Sequence, residues 1–542
     1  MLTRREFLKD TAILAAAGLA APLLSCSSSG STYDTVIRNG TIYDGTTAAP
    51  FEADVGIVGS RIVAVGYLAG PAGKIIDARH CIVAPGFIDV HDHTDYIFKA
   101  HGSDREQARG NLVWMSNMAG LRQGVTTLVS GNCGYGYTDM NDYFAFLDSL
   151  PFAPNTYYLT PHGHLRQELF GDDQPHELTS SQLENLKGAV AREMEKGAIG
   201  MSSGLGYVPG IHCTKQELIE LGKVLRRYNG IYASHIRNEP PPDYTKPCAW
   251  ILEGILEAID IGRQAGIPVE ISHIKGYFGG TEGDYENICR VIENARAEGI
   301  DVTADQYPFT ASSTSLSVLA PAEYRTDTGI KPEYWNDPQK RAEIKAAINE
   351  TFKSLTPHKI RVTDWKTYQY ERLDEIALQE IKDVADLYVE MVCSEDCPSG
   401  IYEVIDEGAM EKLMAKEYVF TGSDGCAVPE LAMYSHPRST ATFAMKLKHF
   451  ALEKGVLTLQ NAILSMTSRP AEKFGIRERG KIIPGYYADL CVIDPATLAA
   501  PATYEKPDVY SEGVRDVLVN GVLELADGSV TGLRGGWALR RS

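Results

Sequence analysis

Residues 87–93 read Phe87-Ile88-Asp89-Val90-His91-Asp92-His93. An apolar, partly β-branched run ends in two imidazoles two residues apart. That is the pattern of a short buried strand carrying both rings on one face at its C-terminal end. Four more runs end in the same way. TTLVSGNC ends at Cys133, GIYASH at His235, PVEISH at His273 and YVFTGSD at Asp424. One polar strand ending means little. Five in order, separated by helical stretches, describe parallel strands that empty their C-terminal ends into one pocket, where barrel enzymes keep their chemistry. Imidazole, thiolate and carboxylate together form a ligand set suited to zinc.

Working outward, candidate strands fall at 87–91, 125–130, 155–161, 198–203, 231–235, 268–273, 300–305 and 417–423. Helical segments lie between most of them. QLENLKGAVAREMEKG precedes the fourth strand and KQELIELGKVLRRYNG the fifth. WILEGILEAIDIGRQAG precedes the sixth and ENICRVIENARAEG the seventh. Several end in glycine, a helix stop. Eight strand–helix repeats predict a closed (β/α)8, TIM-like barrel over about residues 85–474. The stretch between strands seven and eight is too long for a loop. Residues from about 320 to 390 are expected to form an inserted helical subdomain, a lid or part of a pocket wall.

The flanks are of a different kind. Residues 33–84 and 475–542 alternate short β-like runs with NG, DG and GS turns, as in YDTVIRNGTIYDG and VRDVLVNGVLELADG. Two β-rich ends around one barrel predict a small β-sandwich domain built from both. At 542 residues the chain exceeds one ordinary domain, which fits barrel plus β domain.

The N-terminus reads as a leader. Arg4 and Arg5 precede the apolar run TAILAAAGLAAPLL, which resembles a twin-arginine export signal. Leu23-Leu24-Ser25-Cys26 then resembles the lipobox of a bacterial lipoprotein. Residues 1–26 are expected to be cleaved before Cys26, Cys26 to be lipidated, and 27–32 to act as a tether. The expected location is the periplasmic or cell-surface side of a bacterial membrane, attached only through the lipid. The apolar run is too short to span comfortably, and no other segment is long and apolar enough to cross a membrane.

A formal net charge of −19 without a basic stripe excludes a nucleic-acid partner. Of ten cysteines, nine remain besides Cys26, an odd number with scattered spacings and a poor disulfide framework. Cys393 and Cys397 form a lone C-x3-C, weak as a zinc motif. His91 and His93 are placed to bind one ion together, and His235 and His273 end neighbouring strands. Asp424 is read as ligand and proton carrier. A free cysteine is often just a small buried apolar residue, but the position of Cys133 after strand two, in GNCG, favours a ligand thiolate.

These residues carry a resemblance. The order His-x-His, Cys, His, His, Asp on eight strands resembles the amidohydrolase superfamily and, within it, the D-aminoacylase (N-acyl-D-amino-acid deacylase) family. The phrases that carry it run along nearly the whole chain after the leader: VIRNGTIYDGT, VAPGFIDVHDHTD, GVTTLVSGNCG, GAIGMSSGLGYVPG, YASHIRNE, ISHIKG, DVTADQYPF, TGSDG, HPRSTATF and MTSRPAEKFGI. Most superfamily members bridge two metals with a carboxylated lysine at the end of strand four. Here that strand ends GAIGMSSG, without lysine, and the resemblance implies Cys133 as the ligand instead. It implies one tightly held Zn²⁺, with His91, His93 and Asp424 forming a second, weakly or variably occupied position. It also implies Tyr207, Lys275 and Arg438 as binders of a substrate carboxylate. Thr94 stands where the family commonly has an acid, and PHGHLR replaces GHGTLR, which leaves the role of His164 open while His162 and Arg166 stay in register. The activity implied is hydrolysis of the amide bond of a small-molecule N-acyl-D-amino acid. The alternatives are a dipeptidase or a cyclic-amide hydrolase of the dihydroorotase and hydantoinase kind, and, outside enzymes, a ligand-binding lipoprotein on a dead barrel.

Overall fold

The computed structural model describes residues 32–95, 99, 117–150, 152–171, 174–326, 329–427 and 436–541. The leader and Cys26 lie outside the described residues. Among those described, eight parallel strands form the central sheet: β6 (Phe87–Asp89), β7 (Val125–Ser130), β8 (Asn155–Pro161), β9 (Gly200–Gly204), β10 (Ile231–His235), β11 (Val269–Ile271), β12 (Val302–Gln306) and β17 (Val419–Thr421). Each pairs in parallel with its sequence neighbour. The strands fall where the apolar runs place them, because a strand covered on both faces shows up as a continuous apolar run.

Between β6 and β17 the ring closes beyond the strand ends. The Asp424 N–H donates to the His91 carbonyl at 2.8 Å, and the His93 N–H donates to the Gly425 carbonyl at 2.8 Å. Three of the predicted ligands therefore also seal the barrel. The outer helices begin and end where their chemistry dictates. Ser180–Lys196 starts at a reciprocal capping box between Thr179 and Gln182. Pro247–Ala265 carries proline in its first turn, where no amide hydrogen is needed.

The long β12–β17 connection holds helices in the expected insertion, Pro338–Thr351, Leu373–Gln379 and Val384–Val392, and one beyond its expected end at about 390, Glu407–Met414. It also holds an antiparallel sheet of four strands among the described residues: β13 (Ser312–Ser315), β14 (Ile360–Val362), β15 (Glu371–Arg372) and β16 (Ser399–Tyr402). Strands of two to four residues are too short to show a period-two pattern. β13 lies against the mouth of the barrel and forms one wall of the cleft there.

The chain ends meet as expected. β18 (Leu490–Ile493) pairs antiparallel with β5 (Ile82–Pro85), so both ends share one sheet of nine strands among the described residues. β1 (Tyr33–Ile42) pairs in parallel with β4 (Ala72–Asp77) along its first half and with β5 at its end. Ile37, Val55, Ile62, Val83, Leu490 and Leu518 pack into a core separate from the barrel's. All nine cysteines among the described residues are free. No helix among them is long and apolar enough to cross a membrane.

Candidate metal centre and active site

All six predicted ligands converge at the C-terminal mouth of the barrel. Each comes from a strand end or the first turn after it, so the backbone ladder aims them at one point. Three of them sit in left-handed backbone conformations that side chains other than glycine rarely adopt. Cys133 has φ 54°, His273 φ 36° and Asp424 φ 51°. Such positions cost of order 1–3 kcal/mol each and persist where the surroundings hold them. Gly206 has a positioning role of its own. A Cβ there would come within 2.0 Å of the Glu239 carbonyl and 3.0 Å of His235 Nε2.

The ligand atoms form two linked triads. In the first, Cys133 Sγ lies 3.8 Å from His235 Nδ1 and 3.6 Å from His273 Nε2. Around a tetrahedral zinc, with bonds of about 2.3 Å to sulfur and 2.0–2.1 Å to nitrogen, neighbouring ligand atoms sit roughly 3.3–3.6 Å apart. The sulfur edge to His273 falls in that range, and the edge to His235 is slightly longer. The His235–His273 nitrogens are 2.8 Å apart, a gap that a small ring swing opens. In the second triad His93 Nε2 lies 3.1 Å and His91 Nε2 3.5 Å from Asp424 Oδ1. His91 Nε2 is also 3.3 Å from Cys133 Sγ and joins the two.

The tautomers of His235 and His91 fit ligation. His235 Nε2–H donates to the Glu239 carbonyl at 3.0 Å, leaving Nδ1 free. His91 Nδ1–H donates to Asp305 Oδ2 at 3.3 Å, leaving Nε2 free. Such outer partners fix ring orientation and strengthen the ligand. Burial opposes ionisation of the Cys133 thiol, but His91, His235 and His273 outweigh it and hold it well below its ordinary range. Burial likewise opposes the Asp424 carboxylate. Arg438, followed by His273, His93 and His91, brings its pKa far down instead. A thiolate with two imidazoles, beside a carboxylate with two more, fits zinc in kind and in spacing.

The three predicted carboxylate binders also reach the site, and Arg438 and Lys275 are each paired with an acid. Arg438 Nη1 donates to Asp424 Oδ2 at 2.6 Å. Lys275 pairs with Glu239 and donates to the His273 carbonyl at 2.8 Å. The Tyr207 ring lies 4.4 Å from that of His235. Sequence reasoning missed Asp305, Glu239 and Tyr307. Asp305 ties His91 to the backbone N–H of His273. Glu239 holds His235 through its carbonyl and Lys275 through its carboxylate. The Tyr307 ring lies 5.4 Å from Lys275 Nζ and 5.2 Å from Arg438 Cζ. The signals were the acid one residue before the end of β12, the Asn-Glu after His235 and the tyrosine after β12.

The departures also find places. Thr94 Oγ1 donates to Asp92 Oδ2 at 2.9 Å and accepts from the Ala427 N–H at 2.9 Å, tying the first strand end to the loop after β17. His164 Nδ1 lies against the backbone of Gly136. His162 and Arg166 both bind the buried Glu217, behind the barrel wall.

Comparison with known proteins finds relatives over nearly the whole chain. A profile described as the Amidohydrolase family matches residues 404–523. A D-aminoacylase of Alcaligenes xylosoxydans xylosoxydans is 30% identical over 536 residues, covering 94% of this chain and 98% of that protein. A solved D-aminoacylase with a binuclear metal centre, described by one-metal activation and second-metal attenuation, is 31% identical with a TM-score of 0.77. The match covers 94% of this chain and 100% of that one. An N-acyl-D-glutamate deacylase from Bordetella bronchiseptica, solved with zinc and a phosphonate mimic of the tetrahedral intermediate, is 31% identical with a TM-score of 0.76. That match covers 94% and 99%. At 30% identity over nearly the full length of both proteins, the chain belongs to the D-aminoacylase (N-acyl-D-amino-acid deacylase) family of amidohydrolases.

Proposed function

We infer that the protein is a zinc-dependent hydrolase that cleaves the amide bond of N-acyl-D-amino acids to a carboxylate and a free D-amino acid. The observation that carries this reading is the pair of triads linked through His91 and Cys133, with Asp424 in the second. Cys133, His235 and His273 would hold the tight zinc. His91, His93 and Asp424 would form the second, weaker position. Zinc, when bound, supplies Lewis acidity for the amide carbonyl and acidifies water.

The chain's residues do the rest. Asp424 is ionised, buried and anchored through Oδ2 to Arg438. It accepts the proton of the attacking water and returns it to the departing nitrogen, which leaves only when protonated. Arg438, Lys275 and Tyr207 receive the free α-carboxylate of the substrate. A substrate carboxylate that shares the Arg438 guanidinium loosens its hold on Asp424 and makes that oxygen a better base. The cyclic-amide alternative lacks its bridging lysine, because β9 reads Gly-Met-Ser-Ser-Gly. Turnover of N-acetyl-D-amino acids, compared with dipeptides and cyclic ureides, tests the assignment. Faster turnover of either comparison class contradicts it.

Arg438→Ala is expected to lower kcat/KM by about 2–4 kcal/mol, the scale for truncating one partner of a buried charge pair. The variant should also discriminate less between a free acid and its amide or ester. Unchanged kcat/KM and unchanged discrimination in both Arg438→Ala and Lys275→Ala would remove the carboxylate clamp.

We further propose that the leader exports the protein through the twin-arginine route and that Cys26 carries its lipid anchor. The support is the sequence alone, Arg4-Arg5 with Leu23-Leu24-Ser25-Cys26. Detergent partitioning should place the native protein with membranes and Cys26→Ser in the aqueous phase. Normal export of the Arg4→Lys, Arg5→Lys double variant would point to the general secretory route.

A further inference from the structure

The cleft divides at Asp424 and Arg438. One lobe holds Lys275, Glu239 and Tyr307, the side of the α-carboxylate clamp. The other runs from His93 and Cys133 past Tyr135 to the inserted subdomain. In this second lobe lies Arg325, which sequence reasoning did not single out. It is only 8% exposed.

Its charge is not compensated as the other cations' are. Lys275 has Glu239 and Arg438 has Asp424. Among the described residues no carboxylate forms an ion pair with Arg325. Its Nη1 donates to the Val318 carbonyl at 3.1 Å, and its buried Nε has no hydrogen-bond partner. Burial pulls its pKa down, against only weak opposition from Tyr135, Tyr388, Tyr207 and Glu323. A buried cation with an unused donor is costly unless something arrives to pair with it. A guanidinium is the side chain best shaped to grip a carboxylate with two donors. Hydroxyls in the same lobe, Ser317 and Ser399 among them, offer further donors to an anion held there.

We propose that Arg325 recognises a second carboxylate on the substrate, carried either by the D-amino-acid side chain or by the acyl chain. The inference rests on the deacylase reading above and deepens it, by making acidic N-acyl-D-amino acids the favoured substrate class. Two acid–neutral pairs separate the sources. N-acetyl-D-glutamate against N-acetyl-D-glutamine tests the side chain. N-succinyl-D-leucine against its succinamoyl counterpart tests the acyl chain. Zinc-loaded native enzyme should favour the acid in one pair by at least about tenfold in kcat/KM, the scale of a charge-assisted hydrogen bond. Arg325→Gln should bring that ratio to about one, and Arg325→Lys, which keeps charge but loses the planar fork, should fall between. A ratio of two substrates on one enzyme sample is independent of the fraction folded, so partial misfolding of a variant does not mask the result. Turnover of the neutral substrates with no preference for either acid overturns the role of Arg325 and leaves the deacylase reading standing. A preference that survives Arg325→Gln overturns it too. Failure of the native enzyme to turn over any of the four overturns both.

Discussion

Cys133→Ala loses the tightly held zinc, and with it the activity. Native protein is expected to retain about one zinc per chain through gel filtration, and the variant far less, because two imidazoles alone form an incomplete site for a metal that takes four ligands. The thiolate is the softest member of the set and the one best matched to zinc. Its geometry supports this weight, since Cys133 Sγ is within 3.8 Å of three ligand nitrogens, on His91, His235 and His273. Elemental analysis of both proteins decides the matter. Tight zinc at native stoichiometry in the variant would remove Cys133 from the site.

Asp424→Asn separates chemistry from metal binding. The variant is expected to fold, to keep zinc at the Cys133 triad and to lose roughly 10²- to 10⁴-fold in kcat, the range of general acid–base catalysis. Asparagine keeps the shape of the side chain but cannot carry the proton from water to the leaving nitrogen. The carboxylate is placed for that exchange, since one oxygen faces His93 at 3.1 Å while the other is anchored by Arg438. Zinc content and single-turnover rates measured together test both halves. A variant with full activity would strip Asp424 of its role. Loss of zinc from the Cys133 triad would mean that the two triads bind as one unit.

Much of this site is legible in the sequence because parallel strands impose order. A strand buried on both faces reads as an apolar run, and its last residue stands at the barrel mouth. That is how FIDVHDH and PVEISH point to His91, His93 and His273. What the apolar pattern hides is everything set by turns and long-range partners. Nothing in GNCG or TGSDG says that Cys133 and Asp424 adopt left-handed backbone, and closure of the ring through the Asp424 N–H is visible only in three dimensions. Asp305 and Glu239 act through the histidines they hold, so their roles depend on contacts across strands. The resemblance implies Lys275 and Arg438 as carboxylate binders. The structure pairs them with Glu239 and Asp424, which charge spacing along the chain does not reveal. The four short strands of the insertion escaped because two to four residues carry no usable period. Arg325 escaped for a related reason, since its surroundings are made by residues from several separate segments.

The central claim is that zinc at the Cys133 triad serves the hydrolysis of N-acyl-D-amino acids. The direct measurement is turnover of matched N-acetyl-D- and N-acetyl-L-amino acids by protein stripped of metal and then titrated with zinc. The account predicts that activity on the D enantiomers rises with zinc and reaches its plateau at about one equivalent, the stoichiometry of a single tight site. It also predicts that the L enantiomers are turned over far more slowly throughout. Faster turnover of the L enantiomers, or D-directed activity that is complete without zinc, would contradict it.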